Sequence, residues 1–210
     1  MLSQEAPFFL VKNQANNKRK YINLKDFKVQ NCKIISEMMV HISLCTHIWA
    51  KDVLVLKEVN EELKTECEKH KKESSFLFEE YSNIENKENK SLDVVILNSQ
   101  NIDFKVVSQM QRVLRDDGLV VVESSFYSKD IEKLKKDLQA FGEHFWIVMP
   151  FNFGHTTAII ASKKYHPTAD LNLHRADFLE GMEYYSSDIH LASFVFPAKV
   201  HKELTGIAKR

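Results

Sequence analysis

Residues 94–122 read VVILNSQNIDFKVVSQMQRVLRDDGLVVV. Val94-Val95-Ile96-Leu97 is an unbroken apolar run, the pattern of a strand buried on both faces. Phe104–Leu114 has helical spacing, and Asp116-Asp117-Gly118 supplies a turn to end the helix. Leu119–Val122 is a second apolar run. Strand, helix and strand in sequence form the unit of a parallel sheet, because parallel strands need a long crossover.

The pattern extends in both directions. Val53–Leu56 reads as a buried strand, Val59–His70 as a charged helix with Leu63 and Cys67 four apart, and Ser75–Phe78 as a short strand. Ser82–Ser91 is polar and reads as a surface loop. Downstream, Ser128–Phe141 is an amphipathic helix capped by Ser128 and closed by Gly142, with Ile131, Leu134 and Leu138 on its face. Phe145–Met149 and Thr157–Ser162 read as two late strands joined by the loop Pro150–His155. Lys33–Ile48 is helical, with Ile34, Met38, His41 and Cys45 at spacings of four, three and four. Before it, Phe8–Val11 and Tyr21–Leu24 read as a hairpin or as two frayed strands. The expected division is a small amino-terminal strand region over 1–32 and an α/β domain over 33–210.

The 210 residues are 44% apolar and 28% charged, with zero formal net charge. That suffices for one sizeable core and gives nucleic acid or an anionic membrane no attracting field. Lys18-Arg19-Lys20 is short and reads as a solvated turn. Cys32, Cys45 and Cys67 are widely spaced and form no CxxC pair, which suits reduced thiols and a cytoplasmic protein. Nothing at the amino terminus has the form of a signal peptide, and no run approaches a membrane-spanning length. His41 and His47 are six apart and cannot share a helix face as two zinc ligands would, and no metal site is expected.

Glu183-Tyr184-Tyr185-Ser186-Ser187-Asp188-Ile189-His190-Leu191-Ala192-Ser193-Phe194-Val195-Phe196-Pro197 reads as a loop entering a helix. Ser186 or Ser187 caps it, and Pro197 limits where it ends. Taken together, Tyr-Tyr, Ile-His, Ala, Phe and Pro at this spacing resemble the carboxy-terminal signature of the spermidine synthases (polyamine aminopropyltransferases). Weaker similarity runs through Glu37–His41, Thr46-His47, Gln111–Leu114 with Asp117-Gly118, Met149-Pro150 to Gly154, and Ala161–Lys163 with His166-Pro167. The resemblance covers roughly residues 33–204. It implies a methyltransferase-like (Rossmann-type) doubly wound sheet, here with a small amino-terminal β/helical appendage. Ligands in such a fold sit at the carboxyl ends of the strands.

The resemblance also implies an activity: transfer of an aminopropyl group from decarboxylated S-adenosylmethionine to an amine, usually putrescine, by a homodimer. The family's glycine-rich turn after the first strand reads Lys57-Glu58-Val59-Asn60-Glu61 here, placing side chains where backbone would approach the nucleoside. Decarboxylated S-adenosylmethionine is therefore expected as a co-substrate that is not held tightly, with Glu79, Glu37 and Asn60 as its matched contacts. The family's catalytic Asp-Ser-x-Asp stretch reads Asn98-Ser99-Gln100-Asn101, and an amide cannot serve as a carboxylate base. Asp103 is the nearby carboxylate, so the catalytic positions are Asp103, Asn98 and Asn101. Tyr184, Tyr185 and Glu37 match the residues near the diamine. No counterpart exists for a strand-helix unit between Glu79 and the next strand.

Two functions of different class compete. One is a spermidine synthase with a rearranged site. The other is a pseudoenzyme that keeps the fold and an amine pocket as a binding or regulatory subunit. A methyltransferase-like protein with another small ligand is a third reading.

Overall fold

In the computed structural model, described residues are 8–12, 19–56, 60–99, 102 and 104–210; side chains are described from Asn31 onward, that of Phe104 excepted. An antiparallel pair, β1 (Phe8–Lys12) and β2 (Arg19–Asn23), precedes the 23-residue helix α1 (Leu24–Thr46). The helix begins nine residues before Lys33 and runs without a break across residue 32.

The central sheet is built from β3 (Asp52–Leu56), β4 (Ser75–Glu79), β5 (Leu92–Leu97), β6 (Leu114–Ser124), β7 (Ile147–Phe153) and β8 (Thr156–Ser162), in the order β4-β3-β5-β6-β8-β7. The first four are mutually parallel, and β8 runs antiparallel to both β6 and β7. The chain leaves β3 toward β4 on one side and continues from β5 toward β6 on the other. The switch point therefore lies between β3 and β5, the place at which open α/β sheets bind their ligands.

Both faces of the sheet are covered, which explains the unbroken apolar runs. Val53, Val55, Val94, Ile96, Leu119 and Val121 pack under α1 and α2 (Glu61–Glu68). Leu54, Leu56, Val95, Leu97, Val120 and Val122 pack under α3 (Phe104–Val113) and α4 (Ile131–Gly142). Successive residues of one strand feed opposite cores, as a period of two requires. On α4, Leu134, Leu138 and Phe141 are buried at four- and three-residue spacing.

Four local readings change. Asp116-Asp117-Gly118 does not close a turn outside the sheet. It lies within β6, where the register shifts: Leu92 pairs with Leu114 but Val94 with Leu119. A Cβ on Gly118 would come within 2.9 Å of Leu114 Cβ and 3.1 Å of the Asp93 carbonyl, so the bulge needs glycine. The cap of α4 is Asp130, whose carboxylate accepts from the Lys133 amide at 2.9 Å, not Ser128. The strand expected at Phe145–Met149 runs instead over Ile147–Phe153, leaving Gly154-His155 as the hairpin tip, with Gly154 at φ +52°. Pro150 is tolerated there because β7 is an edge strand and needs no donor on its open side. Finally, the stretch read as a surface loop over Ser82–Ser91 begins as a 3-10 turn, Tyr81–Asn86, which carries the chain from β4 to β5. This leaves β4 at the sheet edge with Leu77 and Phe78 exposed.

Three short helices complete the chain: α5 (Leu173–Asp177), α6 (Ser187–Ser193) and α7 (Ala198–Leu204). Ser186 caps α6 by accepting from the Ile189 amide, and Pro197 stands at the start of α7. No described helix is long and apolar enough to cross a membrane.

Candidate functional site at the carboxyl edge of the sheet

The carboxyl ends of β3 and β5 open toward the first half of α1, the start of α2 and the 183–185 loop. Glu37 organises this edge. It is fully buried, and its carboxylate accepts from the backbone amides of Glu183 (3.1 Å), Tyr184 (2.8 Å) and Tyr185 (2.8 Å). A carboxylate offers about four lone-pair sites, so at most one is left. Glu37 and the two tyrosines do meet, as the sequence resemblance implies. The meeting joins a carboxylate to the loop's backbone, so Glu37 anchors the loop.

The tyrosines part company. Tyr185 is buried, and its hydroxyl donates to His190 Nδ1 at 2.9 Å, while His190 Nε2 donates to the Pro167 carbonyl at 2.9 Å. Burial pushes the Tyr185 phenol far up and the His190 imidazole down to about 4, so both are neutral packing groups. Tyr184 is half-buried, and its oxygen accepts from the Gly154 amide at 3.2 Å, which ties the loop to the β7–β8 hairpin. Its own proton remains available to a ligand.

Asn60 caps α2, accepting from the Leu63 amide at 2.7 Å, with Ser36 Oγ 3.5 Å away. The capping bond uses the side-chain oxygen and leaves the amide NH2 of Asn60 as the group that could meet a nucleoside. Glu79, at the end of β4, is ion-paired with Lys87 at 2.5 Å. Asn98 follows β5 directly and is half-buried. Asn101 and Asp103, and the Lys57-Glu58-Val59 turn, lie outside the described residues.

Sequence reasoning missed two features. Lys33 pairs with Glu183, and Glu37 and Glu66 also favour its charge. An ammonium group of the chain itself therefore sits among carboxylates at one wall of a cavity of about 350 Å³ lined by Lys33, Glu61, Glu62, Thr65 and Glu66. The i, i+4 spacing of Lys33 and Glu37 was the only signal for it. The second feature is a buried relay behind this wall. His70 Nε2 lies 2.8 Å from His41 Nδ1, and His41 Nε2 lies 2.9 Å from Glu66, which also pairs with Lys69. Burial lowers both imidazole pKa values, that of His70 to about 3. The neutral rings thus hand hydrogen bonds in one direction, from His70 to His41 to Glu66. Burial alone would raise the Glu66 pKa, but the bonds from His41 and Lys69 outweigh it and keep the carboxylate ionised.

The sheet order, its switch point and the helices on both faces define a Rossmann-like α/β protein of the methyltransferase type. Solved structures agree. A spermidine synthase in complex with the transition-state analogue AdoDATO superposes with a TM-score of 0.68 at 18% identity, over 96% of this chain and 85% of that one. The spermidine synthase from Thermotoga maritima gives 0.67 at 17%, over 94% and 83%. In sequence, the chain is 26% identical to the polyamine aminopropyltransferase of Helicobacter acinonychis (strain Sheeba) across 81% of its length and 76% of the relative's. It is 25% identical to that of Helicobacter pylori (strain G27) across 80% and 76%. No family model matches the chain. The chain is thus similar in sequence to the polyamine aminopropyltransferases and similar in fold to the spermidine synthases.

Proposed function

We propose that this protein acts on polyamines at the carboxyl edge of its sheet, with aminopropyl transfer from decarboxylated S-adenosylmethionine to putrescine as its reaction. In that reaction a neutral amine nitrogen attacks the aminopropyl carbon next to the sulfonium. A C–N bond forms, the C–S bond breaks with its electron pair going to sulfur, methylthioadenosine leaves, and the amine gives up a proton. The observation that carries this reading is the Glu37-anchored Tyr184-Tyr185 loop, held over the strand ends in a chain homologous to the aminopropyltransferases. In the proposed roles, Glu79 accepts ribose hydroxyls once Lys87 shifts, the Tyr184 hydroxyl meets the amine, and Asp103 receives its proton.

A second reading is binding of a polyamine without transfer, as a regulatory or accessory subunit. It is favoured by Asn98 standing where a carboxylate base would be needed, and by Lys33 and Lys87 occupying carboxylates that a substrate would use. Both readings are tested together. Purified protein is incubated with decarboxylated S-adenosylmethionine and putrescine, and products are separated by chromatography; putrescine alone is titrated by calorimetry. Spermidine and methylthioadenosine in equal amounts support transfer. Saturable putrescine binding without product leaves the second reading, and neither binding nor product ends both.

A further inference from the structure

A second polar cluster lies at the opposite pole of the sheet, at the amino ends of β3, β5 and β6, away from the proposed polyamine site. His47 follows α1 and is 1% exposed. Its Nδ1 accepts from the Trp49 amide at 3.2 Å, so the neutral ring bears its proton on Nε2. That Nε2 is, among the described residues, the buried side-chain nitrogen or oxygen left without a hydrogen-bond partner. It points at Asp117 Oδ1, 4.0 Å away, too far for a hydrogen bond. One ligand atom each from His47, Asp93 and Asp117 lies within 4.8 Å of the others.

The surroundings fix two of the three groups. Asp93 is 4% exposed. Its Oδ2 accepts from the amides of Lys51 (2.8 Å) and Asp52 (2.9 Å), and its Oδ1 from Arg115 at 2.6 Å. Burial works to raise the Asp93 pKa, but these bonds outweigh it and hold the group ionised below the ordinary carboxylate range. Asp117 Oδ2 accepts from the Tyr165 hydroxyl at 3.0 Å, which leaves Oδ1 facing His47. The charges do not balance. Arg115 is shared by Asp52 and Asp93, and Asp117 adds a third carboxylate to that single guanidinium. The nearby Arg175 is already paired with Glu73 at 2.8 Å. The cluster therefore carries an excess of two negative charges beside a buried nitrogen with nothing to bond.

We propose that His47 Nε2, Asp117 Oδ1 and Asp93 Oδ1 form a binding site for a divalent ion of the zinc type. One imidazole and two carboxylates are a donor set that such ions accept, with water completing the coordination. The excess charge matches the ion's charge. Metal–ligand bonds of about 2.0–2.2 Å require the three atoms to draw inward. Asp117, whose side chain is 35% exposed, has the freedom to do so, while Asp93 is pinned. Binding moves the His47 proton from Nε2 to Nδ1. The Trp49 amide then turns to water, which the exposed turn at Trp49 permits. The His47 ligand is at a helix end and the carboxylates come from two strands, so no local sequence spacing announces the site.

The test is a zinc titration of the full chain, followed by calorimetry and by the fluorescence of Trp49, two residues from His47. Asp117→Asn changes a partly exposed carboxylate and keeps the fold, and His47→Gln removes the nitrogen donor. The wild type is expected to bind one zinc ion with a fluorescence change reversed by chelator. Each variant should lose at least about tenfold in affinity, while magnesium should compete poorly because it avoids imidazole. Unchanged zinc affinity in Asp117→Asn, or no saturable binding by the wild type, overturns the proposal and leaves a trapped water as the partner of Nε2.

Discussion

Glu37 shows how one buried charge sets a loop. Three backbone amides converge on its carboxylate, and hydrogen bonds to a charged group are each worth about 1.5–3 kcal/mol. Glu37→Ala is therefore expected to cost roughly 3 kcal/mol or more in urea unfolding, with Glu37→Gln intermediate; a loss below 1 kcal/mol (about the worth of one neutral bond) would mean the loop holds itself. Lys33 makes the opposite kind of prediction. Its ammonium stands among Glu183, Glu37 and Glu66, so Lys33→Met should tighten putrescine binding several-fold in calorimetry. Unaltered affinity would place the amine elsewhere. The buried histidines predict a pH dependence. His70 has a folded pKa of about 3 and His190 of about 4, both below the unfolded value of 6.5. The unfolded chain then binds more protons between those values. Their contribution to stability is complete above pH 6.5 and is lost progressively as pH falls toward 3. Replacing His70 with Gln should flatten that fall in acid denaturation curves, whereas an unchanged slope would assign it to other groups.

At the scale of elements, the buried strands were legible because both faces of the sheet are covered, so apolar runs replace alternation. Val53–Leu56, Val94–Leu97 and Leu119–Val122 lie inside the observed strands β3, β5 and β6. Helix starts were less legible. Ser128 and Asp130 are both competent caps two residues apart, and only the bond from Asp130 to the Lys133 amide decides between them. Asp130→Ala should cost about 1 kcal/mol and Ser128→Ala less than about 0.5 kcal/mol, read as shifts in the urea midpoint; equal effects would contradict the capping assignment. The hairpin was misread because Pro150 looks like a loop residue, although an edge strand accommodates it. The site residues were partly legible. The Tyr-Tyr signature located the loop, but sequence could not tell that Tyr185 spends its hydroxyl on His190 or that Glu37 spends its carboxylate on amides. The Glu37 amide partners stand 146 to 148 positions away, beyond the reach of local periodicity, and the Tyr185–His190 bond, although only five positions long, depends on how the loop enters α6.

Over the whole molecule, the sheet separates two regions of different chemistry. Its carboxyl edge carries Glu79 at the end of β4, Asn98 after β5, and the Glu37-anchored Tyr184 loop, with the cavity lined by Lys33, Glu61, Glu62, Thr65 and Glu66 between α1 and α2; its amino edge holds the His47, Asp93 and Asp117 cluster. The first lies on the side of the switch point between β3 and β5, where open α/β sheets bind their ligands. The proposed function puts a polyamine at this carboxyl edge. The most direct measurement is a putrescine titration of nitrogen-15-labelled protein, read as backbone amide shifts. Saturable shifts are expected at Glu61, Glu62, Glu79, Asn98 and Tyr184, with the amino-edge amides of Asp93 and Asp117 unmoved. Absence of shifts at millimolar putrescine, or shifts confined to the amino edge, would contradict it.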